Sequence, residues 1–200
     1  MANLKHTIQR KAFSAAIDIA LKRLNNFSKE AYEGARNIIK NPDHKWMKFV
    51  NKMLDELHPN VAKMTALNLG FEAAFYGTTQ IRKNREIYNC NIPWLILMDP
   101  TSACNLRCTG CWAAEYGYKL NLTFEEMDRI VTQAKELGVY FYMFTGGEPL
   151  VRKDDILKLC EKHRDCEFHS FTNGVWKDSR KQTTDVVEPV FSRKFSMQWI

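Results

Sequence analysis

The chain has 200 residues, of which 45% are hydrophobic and 26% are charged, with 9 Gly and 6 Pro. This composition is typical of one globular domain, alone or with an extension, and it excludes collagen-like, low-complexity and disordered chains. No apolar run approaches the ~20 residues of a transmembrane helix, and the N-terminus lacks the unbroken apolar core of a secretory signal. We therefore expect a cytoplasmic protein without a membrane span.

Positive charge is concentrated in the first half of the chain. Residues 1–90 contain 15 Lys and Arg against 8 Asp and Glu, whereas residues 91–200 contain 14 against 15. The basic residues are scattered along amphipathic helices without an arginine-rich run, which favours a solvated helical surface over contact with nucleic acid or anionic lipid. Binding of RNA through residues 1–90, with the cysteines structural, is the alternative.

Residues 5–85 are predicted to be helical. One apolar stripe recurs at helical spacing, and it consists of Trp46, Phe49, Val50, Met53, Leu54 and Leu57. Pro42 and Pro59 are expected to end the helices that precede them. Residues 62–80 are apolar on nearly every side, so this helix is expected to pack against the second half. We assign residues 1–90 to a helical N-terminal region.

From about residue 92 the hydrophobic pattern changes to short, continuous apolar runs. Residues 94–98, 139–145 and 167–172 are predicted to be buried strands. Helices are predicted between them, the first starting at a capping box of Thr123 and Glu126. This alternation predicts an α/β fold with a parallel sheet, in residues 91–174. Chemistry in such folds lies on loops after the strand C-termini, where loops 100–121 and 146–152 are placed.

Three of the six cysteines are close together on the first of these loops. Cys104, Cys108 and Cys111 have the spacing C-x3-C-x2-C, and thiolates are soft ligands that favour iron–sulfur clusters or zinc. Three thiolates on a four-iron cluster leave one iron open to a ligand. A structural zinc ion needs a fourth ligand, and Cys90 lies at the opposite end of the first strand. The pattern favours a cluster, with zinc and inert thiols as alternatives.

The sequence Gly-Gly-Glu-Pro at residues 146–149 follows the second predicted strand. The two glycines permit close backbone approach by a ligand, and Glu148 can pair with a ligand cation such as an ammonium group. The cysteine spacing at 104–111, followed by this GGEP loop, resembles the radical S-adenosylmethionine (radical SAM) superfamily. The resemblance covers about residues 92–174 and implies a partial (β/α) barrel preceded by the helical region.

The resemblance also implies cofactors and their ligands. Cys104, Cys108 and Cys111 would hold a 4Fe–4S cluster, whose open iron binds S-adenosylmethionine. The residues implied to bind this cofactor are Gly146, Gly147, Glu148 and Pro149 at its amino group, Gly110 near its adenine, and Asn173 at the end of the third strand. No catalytic residue beyond the cluster ligands is implied. The last loop position, often aromatic in the family, is Gly110 here.

The implied activity is that of a radical enzyme. A reductant such as flavodoxin or ferredoxin reduces the cluster, and S-adenosylmethionine is cleaved to a 5′-deoxyadenosyl radical that abstracts hydrogen from an unknown substrate. A six-unit barrel needs three more βα units after Asn173, of ~25–30 residues each. Residues 175–200 lack clear periodicity, so we expect an irregular tail and a truncated or frame-shifted product. The alternative function is a catalytically inactive fragment that binds the cluster.

Overall fold

The computed structural model of the chain describes residues 28–56, 59–113, 117, 119–175 and 198–199, together with Lys11, Ala15 and Asp18. The chain divides into two compact units between residues 58 and 59. Among the described helices, none combines the length and the apolar character needed to cross a membrane.

The described part of the first unit contains two amphipathic helices, α1 (Lys29–Lys40) and α2 (Lys45–Glu56). Helix α1 begins at the N-cap Ser28, whose side chain accepts a hydrogen bond from the Ala31 amide at 3.3 Å. Trp46 and Phe49, at one end of the predicted apolar stripe, are each 53% exposed, and their rings meet edge to face.

The second unit begins with a continuous helical segment. It consists of α3 (Pro59–Thr65), a π-helix (Ala66–Gly77) and α4 (Thr78–Tyr88). The π-helix contacts two strands of the sheet. Asn68 Nδ2 donates to the Cys166 carbonyl at 2.8 Å, and Trp94 Nε1 donates to the Ala73 carbonyl at 3.1 Å. The predicted packing of this apolar helix against the second half is therefore confirmed.

A parallel sheet follows, with the strand order β1-β2-β3-β4. Its strands are β1 (Leu95–Met98), β2 (Phe141–Phe144), β3 (Glu167–Ser170) and β4 (Gln198–Trp199). Neighbouring strands pair in parallel throughout. Helix α5 (Phe124–Glu136) connects β1 to β2, and a 3₁₀ helix (Pro149–Arg152) and α6 (Lys153–Lys162) connect β2 to β3. The predicted α/β fold is confirmed.

The core lies between the sheet and its connecting helices. Tyr142, Phe144 and Phe168 are almost fully buried on one face of the sheet, where Phe168 stacks on both other rings. The Tyr142 hydroxyl donates to the Val139 carbonyl at 2.7 Å, which satisfies a buried polar group. Burial on both faces was expected for the first strand too, but Leu97 is 58% exposed. The difference arises because β1 is an edge strand in the described sheet.

The start of α5 has the local structure that the sequence predicts. Thr123 and Glu126 form the capping box. After the C-cap Leu137, Gly138 has a φ of 98°, the left-handed conformation that glycine adopts at little cost. A Cβ atom on Gly138 would lie 2.7 Å from the Gly77 carbonyl oxygen, so this glycine also allows the π-helix to approach the sheet.

The predicted boundaries at residues 90/91 and 174/175 stay a prediction. Helices α3 and α4, assigned from sequence to the N-terminal region, fall in the unit that begins at residue 59. Within the predicted irregular tail, Gln198–Trp199 pair with β3. Residues 176–197 and 200 of that tail lie outside the described residues.

Candidate functional site

The loops that follow β1 and β2 meet at the carboxyl edge of the sheet. Hydrogen bonding between the two chain segments continues beyond the strands, because the Gly147 amide donates to the Thr101 carbonyl at 2.9 Å and the Glu148 amide donates to the Ala103 carbonyl at 2.8 Å. The cysteine loop is thereby fixed to the GGEP loop just before Cys104.

The two glycines of the GGEP loop are required by this contact. Gly146 has a φ of 101°, and a Cβ atom on it would lie 2.8 Å from the Thr101 carbonyl oxygen. A Cβ atom on Gly147 would overlap the carbonyl group of Ala103. The close backbone approach predicted for a ligand is thus made, in this structure, by the backbone that leads into the cysteine loop.

Glu148 is only 2% exposed, and both of its carboxylate oxygens accept hydrogen bonds from the protein. The donors are the Leu150 amide at 3.1 Å, the Thr172 hydroxyl at 2.8 Å and the Asn173 amide at 2.8 Å. Glu148 therefore joins the GGEP loop to the segment that leaves β3. Its role as the partner of a ligand ammonium group stays a prediction.

The three cysteines of the motif are free thiols on a solvent-facing loop. Cys108 is exposed, and Cys104 and Cys111 are partly exposed. The Cys111 amide donates to the Cys108 carbonyl at 3.2 Å, and Gly110 has a φ of 74° within this turn. The Leu106 amide points at Cys104 Sγ at 3.4 Å.

Asn173 lies beside the cysteine loop, 68 positions further along the chain than Asn105. Its Nδ2 donates to Asn105 Oδ1 at 2.7 Å and lies 3.8 Å from Cys104 Sγ. Asn105 Nδ2 in turn donates to the Val175 carbonyl, and the Val175 amide donates to Asn173 Oδ1 at 2.8 Å. The structure thus brings the predicted cofactor residue Asn173 to one of the predicted cluster ligands.

The base of the cysteine loop is held by Thr101 and Asn121, two residues that the sequence analysis missed. Thr101 is 1% exposed, and its hydroxyl donates to Asn121 Oδ1 at 2.5 Å and accepts from the Ala103 amide at 3.0 Å. The same two residues form an antiparallel bridge. The available signal was a threonine after Pro100, because such hydroxyls commonly bind a backbone amide two residues on.

A cleft of about 210 Å³ opens at this edge of the sheet. Partial burial raises the pKa of the Asp99 carboxyl above its ordinary value. Of the predicted cofactor residues, Gly146 and Gly147 line the cleft, whereas Glu148 and Pro149 are buried. Its lining residues are Asp99, Thr101, Ser102, Trp112, Ala113, Leu120, Gly146 and Gly147.

The donor set fits an iron–sulfur cluster better than a single ion. Among the described residues, no three His, Cys, Asp or Glu side chains are arranged to hold a metal ion. A single ion draws all its ligands to within about 2.0–2.6 Å of one point. A four-iron cluster instead takes one thiolate on each of several irons, and Cys104, Cys108 and Cys111 supply three soft donors on one accessible loop.

A second metal-like spacing, C-x2-H-x2-C, occurs at Cys160, His163 and Cys166, and the sequence favours core thiols there. Both thiols are buried, and burial raises the pKa of each well above its ordinary value. His163 Nε2 lies 2.9 Å from Asp128 Oδ1. Neutral buried thiols are poor metal ligands, since the thiolate is the ligating form.

Comparison with known proteins identifies the segment that contains both loops. Residues 98–188 match the family model described as the Radical SAM superfamily. The GTP 3',8-cyclase of Desulforamulus reducens is 44% identical over 80 residues, which are 38% of this chain and 24% of that protein. The GTP 3',8-cyclase of Tolumonas auensis is 47% identical over 57 residues, 27% of this chain and 17% of that protein.

A third relative, the GTP 3',8-cyclase of Geobacter sulfurreducens, is 46% identical over 57 residues, 26% of this chain and 18% of that protein. The chain thus spans a quarter or less of the length of these curated relatives. No solved structure matches it. The matched segment contains the three cysteines, the GGEP loop and Asn173, so this part of the chain is similar to the radical SAM superfamily.

Proposed function

We propose that this chain is a radical SAM enzyme whose cysteine loop binds a 4Fe–4S cluster and whose GGEP loop helps to bind S-adenosylmethionine. The observation that carries the proposal is the pair of backbone hydrogen bonds from Gly147 and Glu148 to Thr101 and Ala103. They hold the soft donors and the cofactor loop at one edge of the sheet. When bound and reduced, the cluster would supply the electron that cleaves S-adenosylmethionine to methionine and a 5′-deoxyadenosyl radical.

Different residues of the chain are proposed to bind the cluster and S-adenosylmethionine. Cys104, Cys108 and Cys111 would each ligate one iron of the cluster, and its fourth iron would stay open to the cofactor. The cleft beside Gly146 accepts the methionine part of the cofactor. Glu148 is the predicted partner of the cofactor's ammonium group, and Asp99, which lines that cleft, supplies a second carboxylate for it. A charged donor–acceptor pair of this kind is stronger than a neutral hydrogen bond.

The reductant and the substrate are proposed only as classes. A single-electron donor such as flavodoxin or ferredoxin is expected, because the exposed cysteine loop allows electron transfer from a partner. The relatives are named for a reaction of GTP, but the chain matches a quarter or less of their length. We therefore propose hydrogen abstraction from an organic substrate and assign no nucleotide specificity.

Anaerobic reconstitution with iron and sulfide tests the proposal. The parent chain is expected to bind about four irons, to give an electron paramagnetic resonance signal that S-adenosylmethionine perturbs, and to form 5′-deoxyadenosine under dithionite. Cys104→Ala, Cys108→Ala and Cys111→Ala are each expected to abolish the signal. The matched control is Cys90→Ala, which removes an exposed thiol outside the loop and is expected to behave like the parent.

Two results would separate the alternatives. A parent chain without a cluster, behaving like Cys104→Ala, would overturn the proposal. A cluster that binds S-adenosylmethionine without forming 5′-deoxyadenosine would support the alternative of a cluster-binding chain that does not turn over.

A further inference from the structure

The side-chain amides of Asn173 and Asn105 and the backbone of Val175 form a closed ring of hydrogen bonds next to Cys104. Asn173 Nδ2 donates to Asn105 Oδ1 at 2.7 Å, Asn105 Nδ2 donates to the Val175 carbonyl, and the Val175 amide donates to Asn173 Oδ1 at 2.8 Å. Each amide thus uses its oxygen as an acceptor and its nitrogen as a donor. The ring fastens the cysteine loop to the segment that leaves β3.

This ring fixes which end of the Asn173 amide faces the cysteine. The two ends of an asparagine amide are assigned from their hydrogen bonds. The Val175 amide can only donate, so the Asn173 atom beside it is the oxygen, and Nδ2 must face the cysteine loop. Nδ2 has two hydrogens. One is bonded to Asn105, and the other is left for Cys104 Sγ at 3.8 Å.

A buried carboxylate positions the backbone of Asn173. Glu148 Oε2 accepts from the Asn173 amide at 2.8 Å, and Glu148 Oε1 accepts from the Thr172 hydroxyl at 2.8 Å. Glu148 is 2% exposed, so its carboxylate is largely shielded from water. The Thr172 hydroxyl also accepts from the Gly174 amide at 3.1 Å.

We propose that Asn173 is a positioning residue that donates an amide hydrogen bond to the Cys104 thiolate and thereby raises the reduction potential of the cluster. The inference rests on the proposed function. Reduction adds negative charge to the cluster and its thiolates, and a hydrogen bond to the sulfur stabilises that charge. Hydrogen bonds to ligand sulfurs are among the factors that set cluster potentials. Glu148 and Thr172 act through Asn173.

The test is the midpoint potential of the reconstituted full chain, measured by electron paramagnetic resonance during redox titration without S-adenosylmethionine. Asn173→Leu removes the amide at similar volume. Asn173→Asp keeps the oxygen that accepts from the Val175 amide, but it replaces the donor to Asn105 and Cys104 by a charged oxygen. Both variants are expected to shift the potential to more negative values, Asn173→Asp further. Asn84→Ala, which removes an exposed hydrogen bond to the Glu136 carbonyl, is the control and is expected to leave the potential unchanged.

Two substitutions of Thr172 test whether Glu148 and Thr172 influence the potential by positioning Asn173. Thr172→Ser keeps the hydroxyl and is expected to retain the parent potential. Thr172→Val loses it and is expected to shift the potential in the same direction as Asn173→Leu, by a smaller amount. Equal shifts in the serine and valine variants would contradict the positioning role.

Failure of this inference differs from failure of the proposed function. A parent chain that assembles its cluster and forms 5′-deoxyadenosine, with Asn173→Leu and Asn173→Asp at the parent potential, overturns the inference alone. A parent chain that binds no cluster overturns both, because there is then no ligated sulfur to stabilise.

Discussion

Gly147 lies where the GGEP loop crosses the backbone that enters the cysteine loop. We expect Gly147→Ala to destabilise the chain by about 1–3 kcal/mol, the usual cost of forcing an extra methyl group into a packed site, because the new Cβ overlaps the Ala103 carbonyl group. The same variant is expected to bind less iron on reconstitution. Urea unfolding and iron analysis measure the two effects.

Gly70→Ala is the matched control for this prediction. Gly70 lies in the π-helix of the same unit, and a Cβ atom there would meet nothing within 4 Å. We expect Gly70→Ala to leave the free energy of unfolding unchanged or slightly higher, since alanine loses less backbone entropy than glycine in a helix. Equal destabilisation by both substitutions would show that the overlap with Ala103 has no energetic consequence.

Two buried thiols are expected to make the fold sensitive to alkali. Burial raises the pKa of Cys160 and Cys166 above the ordinary value of 9.0, so above that pH the unfolded thiols lose protons that the folded thiols keep. Their contribution to stability is complete below pH 9 and is lost as the pH rises. Each thiol is expected to lower the free energy of unfolding by up to about 1.4 kcal/mol per pH unit.

The double variant Cys160→Ala, Cys166→Ala tests this assignment. Burial also raises the pKa of Tyr140, from 10.0 to about 12, so tyrosines contribute a similar loss that begins one pH unit higher. The parent is expected to weaken from about pH 9, and the double variant from about pH 10. An unchanged onset in urea unfolding followed across this range would contradict the prediction.

At the scale of elements, Asn68 joins the π-helix to the turn before β3. Its Nδ2 donates to the carbonyls of Arg164 and Cys166 at 3.1 and 2.8 Å. Asn68→Ala would leave the buried Cys166 carbonyl without this donor, and we expect a loss of about 1–3 kcal/mol. Asn84→Ala removes an exposed bond to the Glu136 carbonyl and is expected to cost less than about 0.5 kcal/mol. Thermal unfolding of both variants gives the comparison.

The sequence predicts helices and strands well where the residues that determine them are close together in the chain. Short apolar runs specify β1, β2 and β3 because strands of a parallel sheet are buried among helices, and Thr123 and Glu126 specify the start of α5 because both partners of the capping box are within one turn. These elements were predicted within a few residues of their observed bounds. The exposure of Leu97 was missed, because periodicity does not reveal which strand is at the edge.

The sequence predicted the kind of candidate site and the two loops that form it, but not the contacts between its residues. The cysteine spacing and the GGEP sequence locate the two loops, because spacing on one loop is visible in the sequence. That Glu148 bonds to Thr172 and Asn173, and that Asn173 reaches Asn105, depends on the register of three strands. Contacts between residues 24 to 70 positions apart arise only when the sheet has formed.

At the scale of the whole molecule, the position of the helices before β1 decides what the smallest folding unit is. The change in hydrophobic pattern predicts a boundary after residue 90, whereas the chain divides into compact units between residues 58 and 59. Residues 59–88 pack into the core of their unit and are not a linker. Trp94 bonds to Ala73, Arg85 bonds to the Ile92 carbonyl, and Gly77 lies against Gly138.

We therefore expect a chain of residues 59–200 to fold and to bind the cluster as the full chain does, and a chain of residues 91–200 to fail. Removing residues 59–90 would expose one face of the sheet, including Phe141, and would leave the Cys166 carbonyl without Asn68. Burial of apolar surface is the main stabilising contribution to a unit of this size. Far-UV circular dichroism, urea unfolding and iron content compare the two shortened chains with the full chain. A cooperative unfolding transition and full iron content in residues 91–200 would contradict the prediction and would support the boundary after residue 90.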